Sequence, residues 1–480
     1  MSPVLTPPPL KPSQLEMNLT PGRNTLKYNL ENGVFTVFIE HDSPGGDVPP
    51  ETAGQRLTLL DEAVAANKGL PMALAITDRY QFANSHRAAE YAGALPPERR
   101  NAHLIYLSGR DTGYARMLEM LQLCRNAGLT NVIPVSGDAL SSGGKGVYTE
   151  DVNVLHKIQQ DFAENFYPGA VVNPFKYRAD TQFSQLFKLV KKLHNGAKFI
   201  VTQAGWDMRK LQSLKWYLAH RGLEYPVVAR LILLTPDKLE KIQQNKVPGI
   251  AVSPDFENIL ARELAFSAKQ FESAQWRRLE LQVAGCRLLG FSGVQISGLD
   301  TPDKIRLAGM RLRAALREFT TFEQWVEEYH SYQARAEMAP APQAFILFNG
   351  LLKHQYYDNS VTFAHGTAAI SRVSATGKAL YQLRKTIFSG VGNVPGCRQI
   401  LKKLLLNCSG CGRCSLENTE FLCLQKCPKK LLNGPCGNAR FNGECELGGH
   451  ICVFNQLIAL AEWHDRLDTL EEDYQPNPAE

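Results

Sequence analysis

Between residues 34 and 319, short apolar runs rich in β-branched side chains alternate with longer stretches whose apolar positions recur at helical spacing. The runs are Val34 to Ile39, Met72 to Thr77, His103 to Leu107, Asn131 to Ser136, Ala170 to Asn173, Lys198 to Thr202, Pro226 to Leu231 and Gly293 to Ile296. They predict eight strands. Met117, Leu118, Leu121 and Cys124 mark the buried stripe of one intervening helix. Eight strand–helix units in about 290 residues match a (β/α)8 TIM barrel in count and length, with an open doubly wound α/β sheet as the alternative.

A barrel draws its chemistry from the C-terminal ends of its strands. Polar residues stand at six of those ends: Glu40, Thr77-Asp78, Ser108 to Arg110, Ser136-Gly137-Asp138, Asn173 and Thr202-Gln203. Any one of them alone reads as a helix cap or a satisfied loop residue; six on one rim predict a site. Glu40 follows the apolar run Phe35 to Ile39, where burial would raise its pKa and keep a proton available for donation. The plainer reading is a rim ion pair with Arg79 or Arg110. Gly143-Gly144-Lys145-Gly146 is either an ordinary loop or a cradle for phosphate through its backbone amides, without Walker spacing.

The second half of the chain follows a different rule. Eight of the eleven cysteines fall between Cys408 and Cys452, in the order Cys408-x2-Cys411-x2-Cys414, Cys423-x3-Cys427-Pro428, Cys436, Cys445 and Cys452. Thiols two residues apart can close on one ion from a single turn of chain. A third at the same interval is uncommon for simple four-thiolate zinc and common for iron–sulfur ligation. Cys408, Cys411, Cys414 and Cys427 before Pro428 have the ferredoxin-like pattern of a 4Fe-4S cluster, which leaves Cys423, Cys436, Cys445 and Cys452 for a second site or a structural zinc. Zinc at one or two tetrahedral sets, folding a stretch with little core of its own, is the other metal reading. Disulfides fit poorly, because the segment Met1 to Leu10 has no cationic region followed by an apolar stretch, and no later run reaches membrane-spanning length. A cytoplasmic protein with reduced thiols is expected. Cys124 and Cys286 read as ordinary buried cysteines, and His354, His365 and His450 as surface or packing residues.

Charge adds little. A net +6 from 53 basic and 47 acidic side chains, with no basic run beyond pairs such as Lys191-Lys192, argues against a nucleic-acid partner. The organisation expected is a flexible extension over 1–25, a barrel domain over 26–330, a linker over 331–344, a cysteine-rich metal-binding domain over 345–470 and an acidic tail over 471–480.

The ordered motifs resemble the methylenetetrahydrofolate reductase family over both halves. Asn433-Gly-Pro-Cys-Gly437, with the cysteine segments on either side, looks like the cysteine-rich domain that accompanies the reductase, fused or as a separate subunit. Phe38-Ile-Glu40, His103-Leu-Ile105, Ser136-Gly-Asp138 and Gly196 to Gln203 with Asp207 look like the family's barrel motifs. That resemblance implies a flavoprotein, with FAD preferred over FMN, that reduces 5,10-methylenetetrahydrofolate to 5-methyltetrahydrofolate. It implies Glu40 as the acid at the folate N10 side, Asp138 near flavin and pterin, and Gln203 against folate. It places Thr77, His103, Ser136, Gly137, Asp138, Tyr148, Asn173 and Lys192 at the flavin. Ser136, Asn173, Gln185, Leu239, Ser297 and Thr301 differ from the residues many members carry at those places. The electron donor is left open between NAD(P)H and ferredoxin or another electron-transfer protein, and a homo-oligomer is left open too. The competing reading from another class is a non-catalytic or methyl-transfer-associated scaffold that retains the barrel and the metal module.

Overall fold

The computed structural model describes residues 24–78, 85–138, 146–332, 373–389 and 397–476, apart from 245, 248, 251, 407, 409, 412, 413, 441 and 473. Most of the expected linker, together with Arg79, Gly143 to Lys145, His354 and His365, lies outside these. Eight parallel strands run β1 (Thr36–Asp42), β2 (Met72–Thr77), β3 (Leu104–Ser108), β4 (Val132–Val135), β5 (Gly169–Val172), β6 (Phe199–Thr202), β7 (Val227–Ile232) and β8 (Gly293–Ser297). Their order in the sheet is β4-β3-β2-β1-β8-β7-β6-β5. β1 pairs with both β2 and β8, and β4 lies against β5 without a hydrogen-bonded ladder. The result is the expected (β/α)8 barrel, nearly closed.

Two apolar layers follow from the two-residue strand period. Side chains facing outward, such as Val37, Ile39, Leu74, Ile76, Ile105 and Leu107, pack under the helices. Side chains facing inward, such as Phe38, Ala73, Ala75, Leu104, Tyr106, Ile133, Phe199, Val201 and Val228, fill the barrel. Leu26 and Leu30 of the short helix Thr25–Glu31 join that inner layer, and its N-cap, Asn24, bonds to Thr130 and Asn131 beside β4. This closes the end of the barrel at which the strands begin. The opposite mouth is left for polar groups.

The C-terminal segment covers part of that mouth. It holds helices Ala375–Phe388, Cys397–Leu406 and Val453–Trp463, with turns and one 3-10 turn over most of the cysteine region between them. Val453–Trp463 and the short helix Leu467–Glu472 pack against Ala179–His194, the helix between β5 and β6. That helix is buried along nearly its whole length. Among the described residues no helix is long and apolar enough to cross a membrane.

Candidate active site

The C-terminal ends of the strands line one cavity of about 1370 Å³, part of it open to solvent. Its walls include Glu40 of β1, Thr77 of β2, Ser136, Gly137 and Asp138 after β4, Asn173 after β5, Lys192 of the following helix and Gln203 after β6. Gln185 and Ser297 stand in the same wall. The rim that the polar strand ends predict is therefore assembled. Two of the expected residues do not line it. His103 sits where β3 begins, fully buried at the far end of the barrel: Nδ1 accepts from the Leu74 amide at 2.9 Å and Nε2 lies 3.0 Å from Asp61 Oδ1. It is a strut between the sheet and the helix Pro50–Ala65, and its position corrects the expectation of a cofactor contact. Tyr148 pairs through its backbone with Arg110 and puts its ring 5.2 Å from Lys429 Nζ, outside the cavity lining.

Glu40 departs from expectation in another way. Burial would push its carboxyl up, but the Arg230 guanidinium beside it, assisted by Lys238 and a hydrogen bond from Gln295, brings it down to about 2. Arg230 grips it bidentately, Nε to Oε2 and Nη2 to Oε1 both at 2.5 Å, while Gln295 Nε2 donates to Oε2 at 2.8 Å. The ion pair is real; its partner is Arg230 of β7, not Arg110. The third guanidinium nitrogen, Nη1, donates to Gln203 Oε1 at 2.7 Å, and Tyr106 Oη donates to Gln295 Oε1 at 2.7 Å. Neither Arg230 nor Gln295 stands out in the motif comparison. The signal was a charged or amide side chain on the inward phase of an otherwise apolar strand, which a barrel accepts only when it is paired.

The other wall groups are cross-linked as well. Asp151 receives Lys192 at 2.6 Å, Lys188 at 2.9 Å and Ser136 Oγ at 2.9 Å. Despite burial, the two ammonium groups hold the Asp151 carboxyl well below the usual carboxylate range. Lys192 Nζ also donates to the Val171 carbonyl at 2.7 Å. Asp138 accepts 2.6 Å from Asn438 Nδ2, so a carboxylate of the barrel mouth meets an amide of the cysteine region.

That meeting is part of a docked strap. Pro435, Cys436, Gly437 and Asn438 form one side of the cavity. Asn173 Nδ2 donates to the Gly437 carbonyl at 3.1 Å, Lys176 Nζ to Ala439 at 2.8 Å, Lys188 Nζ to Gly434 at 3.3 Å and Lys429 Nζ to Gly137 at 2.8 Å. Buried Glu150 accepts from the Leu432 amide at 2.8 Å and the Asn433 amide at 3.0 Å. Gly434 is needed here for its shape. Its φ is +148°, and a Cβ would lie 2.7 Å from the Lys188 side chain.

All eight clustered cysteines are free thiols, and seven of them fall into two neighbourhoods. Cys427, Cys436, Cys445 and Cys452 line one small cavity, which touches Lys429 and Glu446. Cys423 instead lies within electrostatic reach of Cys408 and Cys411. The expected grouping of Cys427 with Cys408, Cys411 and Cys414 is thereby corrected. Cys423 and Cys427 flank the 3-10 turn Leu424–Lys426, one at each end of it. Four soft donors on one cavity match a thiolate metal site in kind. Among the described residues, however, no three possible ligands stand at metal-binding spacing. Burial pushes the Cys436 and Cys452 thiols up to about 12.

With this geometry in hand, two family models match the chain: "Methylenetetrahydrofolate reductase" over residues 32–260 and "Methylene-tetrahydrofolate reductase C terminal" over residues 393–479. The chain belongs to the methylenetetrahydrofolate reductase family. The first match takes in β1 to β7 and every cavity group from Glu40 to Lys238; the second takes in all eight clustered cysteines and the docked strap. No curated protein matches the chain. Among solved structures, an uncharacterized protein from Clostridium thermocellum that binds two copies of 5-methyl-5,6,7,8-tetrahydrofolic acid is 14% identical, with a TM-score of 0.40 over 61% of this chain and 99% of that one. A double variant of flavocytochrome b2 with sulfite bound is 12% identical, with a TM-score of 0.32 over 64% of this chain and 67% of that one.

Proposed function

We propose that this reductase-family chain is a flavoenzyme that reduces 5,10-methylenetetrahydrofolate to 5-methyltetrahydrofolate, with the cysteine region as a metal-bearing module docked at the site. The observation that carries the reading is the convergence of Glu40, Asp138 and Gln203, from three strand ends, on one cavity flanked by Cys436 and Asn438. The cavity's donor set suits a flavin: Thr77, Ser136, Asn173 and Lys192 offer hydroxyl, amide and ammonium groups, while Val135 and Val171 offer apolar surface. When bound, flavin supplies the hydride for the one-carbon unit.

The chain's own residues supply position, charge and one proton. Glu40 delivers that proton to N10 as the bond from N10 to the bridging carbon breaks, which leaves the positive charge on the N5 side. Asp138, oriented by Asn438, stabilises that charge. Gln203 orients the ring through its amide. Cys427, Cys436, Cys445 and Cys452 would hold one metal centre next to the cavity. Cys408, Cys411, Cys414 and Cys423 would hold a second farther from it. Because Cys436 belongs to the inner set and to the cavity wall at once, an iron–sulfur centre there suits delivery of electrons from a carrier protein such as ferredoxin.

One observation favours the scaffold reading instead: Glu40, Asp138, Lys192 and Gln203 all have partners within the protein. A single experiment separates the two. The purified, anaerobically prepared protein is expected to carry a flavin spectrum and to oxidise 5-methyltetrahydrofolate with an artificial acceptor. Glu40→Gln is expected to abolish turnover while retaining flavin. A protein that takes up flavin and folate yet turns over neither ligand is a scaffold.

A further inference from the structure

Arg230 connects the two groups that the proposed reaction assigns to substrate. Its guanidinium covers both oxygens of Glu40 and the amide oxygen of Gln203. Gln295, fixed by Tyr106, gives Glu40 a third donor. In this state Glu40 is a carboxylate that already accepts three hydrogen bonds, and the Gln203 amide oxygen accepts from Arg230 and the Ala204 amide. Arg230 itself is 27% exposed and lines the cavity, so it has space to turn towards solvent.

The consequence of turning it away follows from the surroundings of Glu40. The other charged or titratable groups facing it are Lys238 from the helix Pro236–Gln243, Asp42 from its own strand and Tyr106 from β3. Lys238 Nζ is already held 3.1 Å from Ser297 Oγ. A buried carboxylate that has lost its bidentate partner and faces a second carboxyl is costly to keep charged, and it neutralises by taking a proton. A guanidinium cannot give up its own proton at any ordinary pH, so that proton comes from water.

We propose that Arg230 is an internal stand-in for substrate: it occupies Glu40 and Gln203 in the empty site, and a folate carrying the one-carbon bridge displaces it as Glu40 takes up one proton. Arg230 is then a positioning residue, which couples arrival of the proton to arrival of the ligand that consumes it. The proposal rests on the reading of Glu40 as the proton donor. A folate whose N10 already bears hydrogen needs no proton from Glu40, so 5-methyltetrahydrofolate should bind without uptake.

Calorimetric titration of the full-length oxidised protein, in two buffers of unlike ionisation enthalpy, tests this with both folates. The wild type is expected to take up about one proton with 5,10-methylenetetrahydrofolate and close to none with 5-methyltetrahydrofolate, so that the first Kd weakens roughly tenfold per pH unit between about pH 6 and 8 while the second stays flat. Arg230→Gln should bind the methylene ligand roughly tenfold more tightly and take up less than about half a proton at pH 7, because its Glu40 is already partly protonated. Arg230→Lys, which keeps charge but not the fork, should fall between. Glu40→Gln should bind the methylene ligand with no uptake, and it tests the proposal even if Arg230→Gln does not fold. Equal uptake for the two folates, or uptake that survives in Glu40→Gln, overturns the proposal alone. Failure of the wild type to bind either folate overturns the functional reading and this proposal with it.

Discussion

The barrel mouth and the cysteine region meet over one cavity, yet they reach order by opposite means. At the mouth, three cavity-lining carboxylates have partners within the chain: Glu40 in Arg230, Asp151 in Lys188 and Lys192, and Asp138 in Asn438. In the cysteine region the polar framework is borrowed, since the strap leans on Glu150, Lys176 and Lys188 of the barrel, and the thiols pair with nothing covalent. A barrel of eight strands has enough core to fix its own polar groups in place. A loop-rich stretch of this size does not, and needs a surface to lie on and, in the proposed function, a metal to close it.

The sharpest way to break this contrast is to remove the metal from one side only. Cys436→Ser and Cys445→Ser are expected to lose the inner centre and leave the module open to protease, with the barrel still folded. Structural thiolate metal sites contribute on the order of 10 kcal/mol of folding free energy, far more than a strap of hydrogen bonds. Metal analysis and limited proteolysis check this; a module that stays protease-resistant and loses no metal would show that the thiols are only packing groups.

Next in size is the docking itself. Glu150 is buried, accepts from two strap amides and from Asn433 Nδ2, and lies 3.2 Å from Lys188 Nζ. Glu150→Ala would leave those donors and an ammonium buried, at a cost of about 3–5 kcal/mol. The melting transition of the protein should fall and the strap should exchange its amide hydrogens faster, while the strands do not. An Asn433→Ala change should cost less on its own and little more when combined with Glu150→Ala, because both act through one network.

These tests bear on what the chain disclosed before its fold was known. The strands were legible because their apolar runs are short and bounded: Met72 to Thr77 is β2 to the residue, and Asn131 to Ser136 overshoots β4 by one residue at each end. The rim residues followed from strand ends. What stayed hidden depends on contacts between distant segments. His103 is a site residue by the family resemblance alone, and it adjoins the end of β3 away from the cavity. Cys427, with a proline after it, has the look of a ferredoxin ligand, yet it lines a cavity with Cys436, Cys445 and Cys452. Arg230 lies inside an apolar run and belongs to no motif, although the two-residue period that puts Val228 in the barrel's inner layer puts Arg230 on the same side.

The smallest expected effect separates the two regions by pH. Glu40 is lowered from 4.5 to about 2 in the folded protein, with Arg230 outweighing burial. A lowered carboxylate stabilises the fold above its unfolded pKa and loses that contribution as pH falls through the folded value. The stability difference between wild type and Glu40→Gln should therefore be constant above about pH 5 and shrink between about pH 4.5 and 2. Asp151, lowered by Lys188 and Lys192, should act in the same sense, so Asp151→Asn should flatten the acid limb further. Both substitutions lie in the barrel, and urea titrations from pH 3 to 7 would read them there. Thiol-dependent stability of the cysteine region should also fall with acid, because protons compete with metal for thiolates, but only in metal-loaded protein. An acid limb that is identical in loaded and chelator-treated protein would locate all of the pH sensitivity in the barrel's ion pairs.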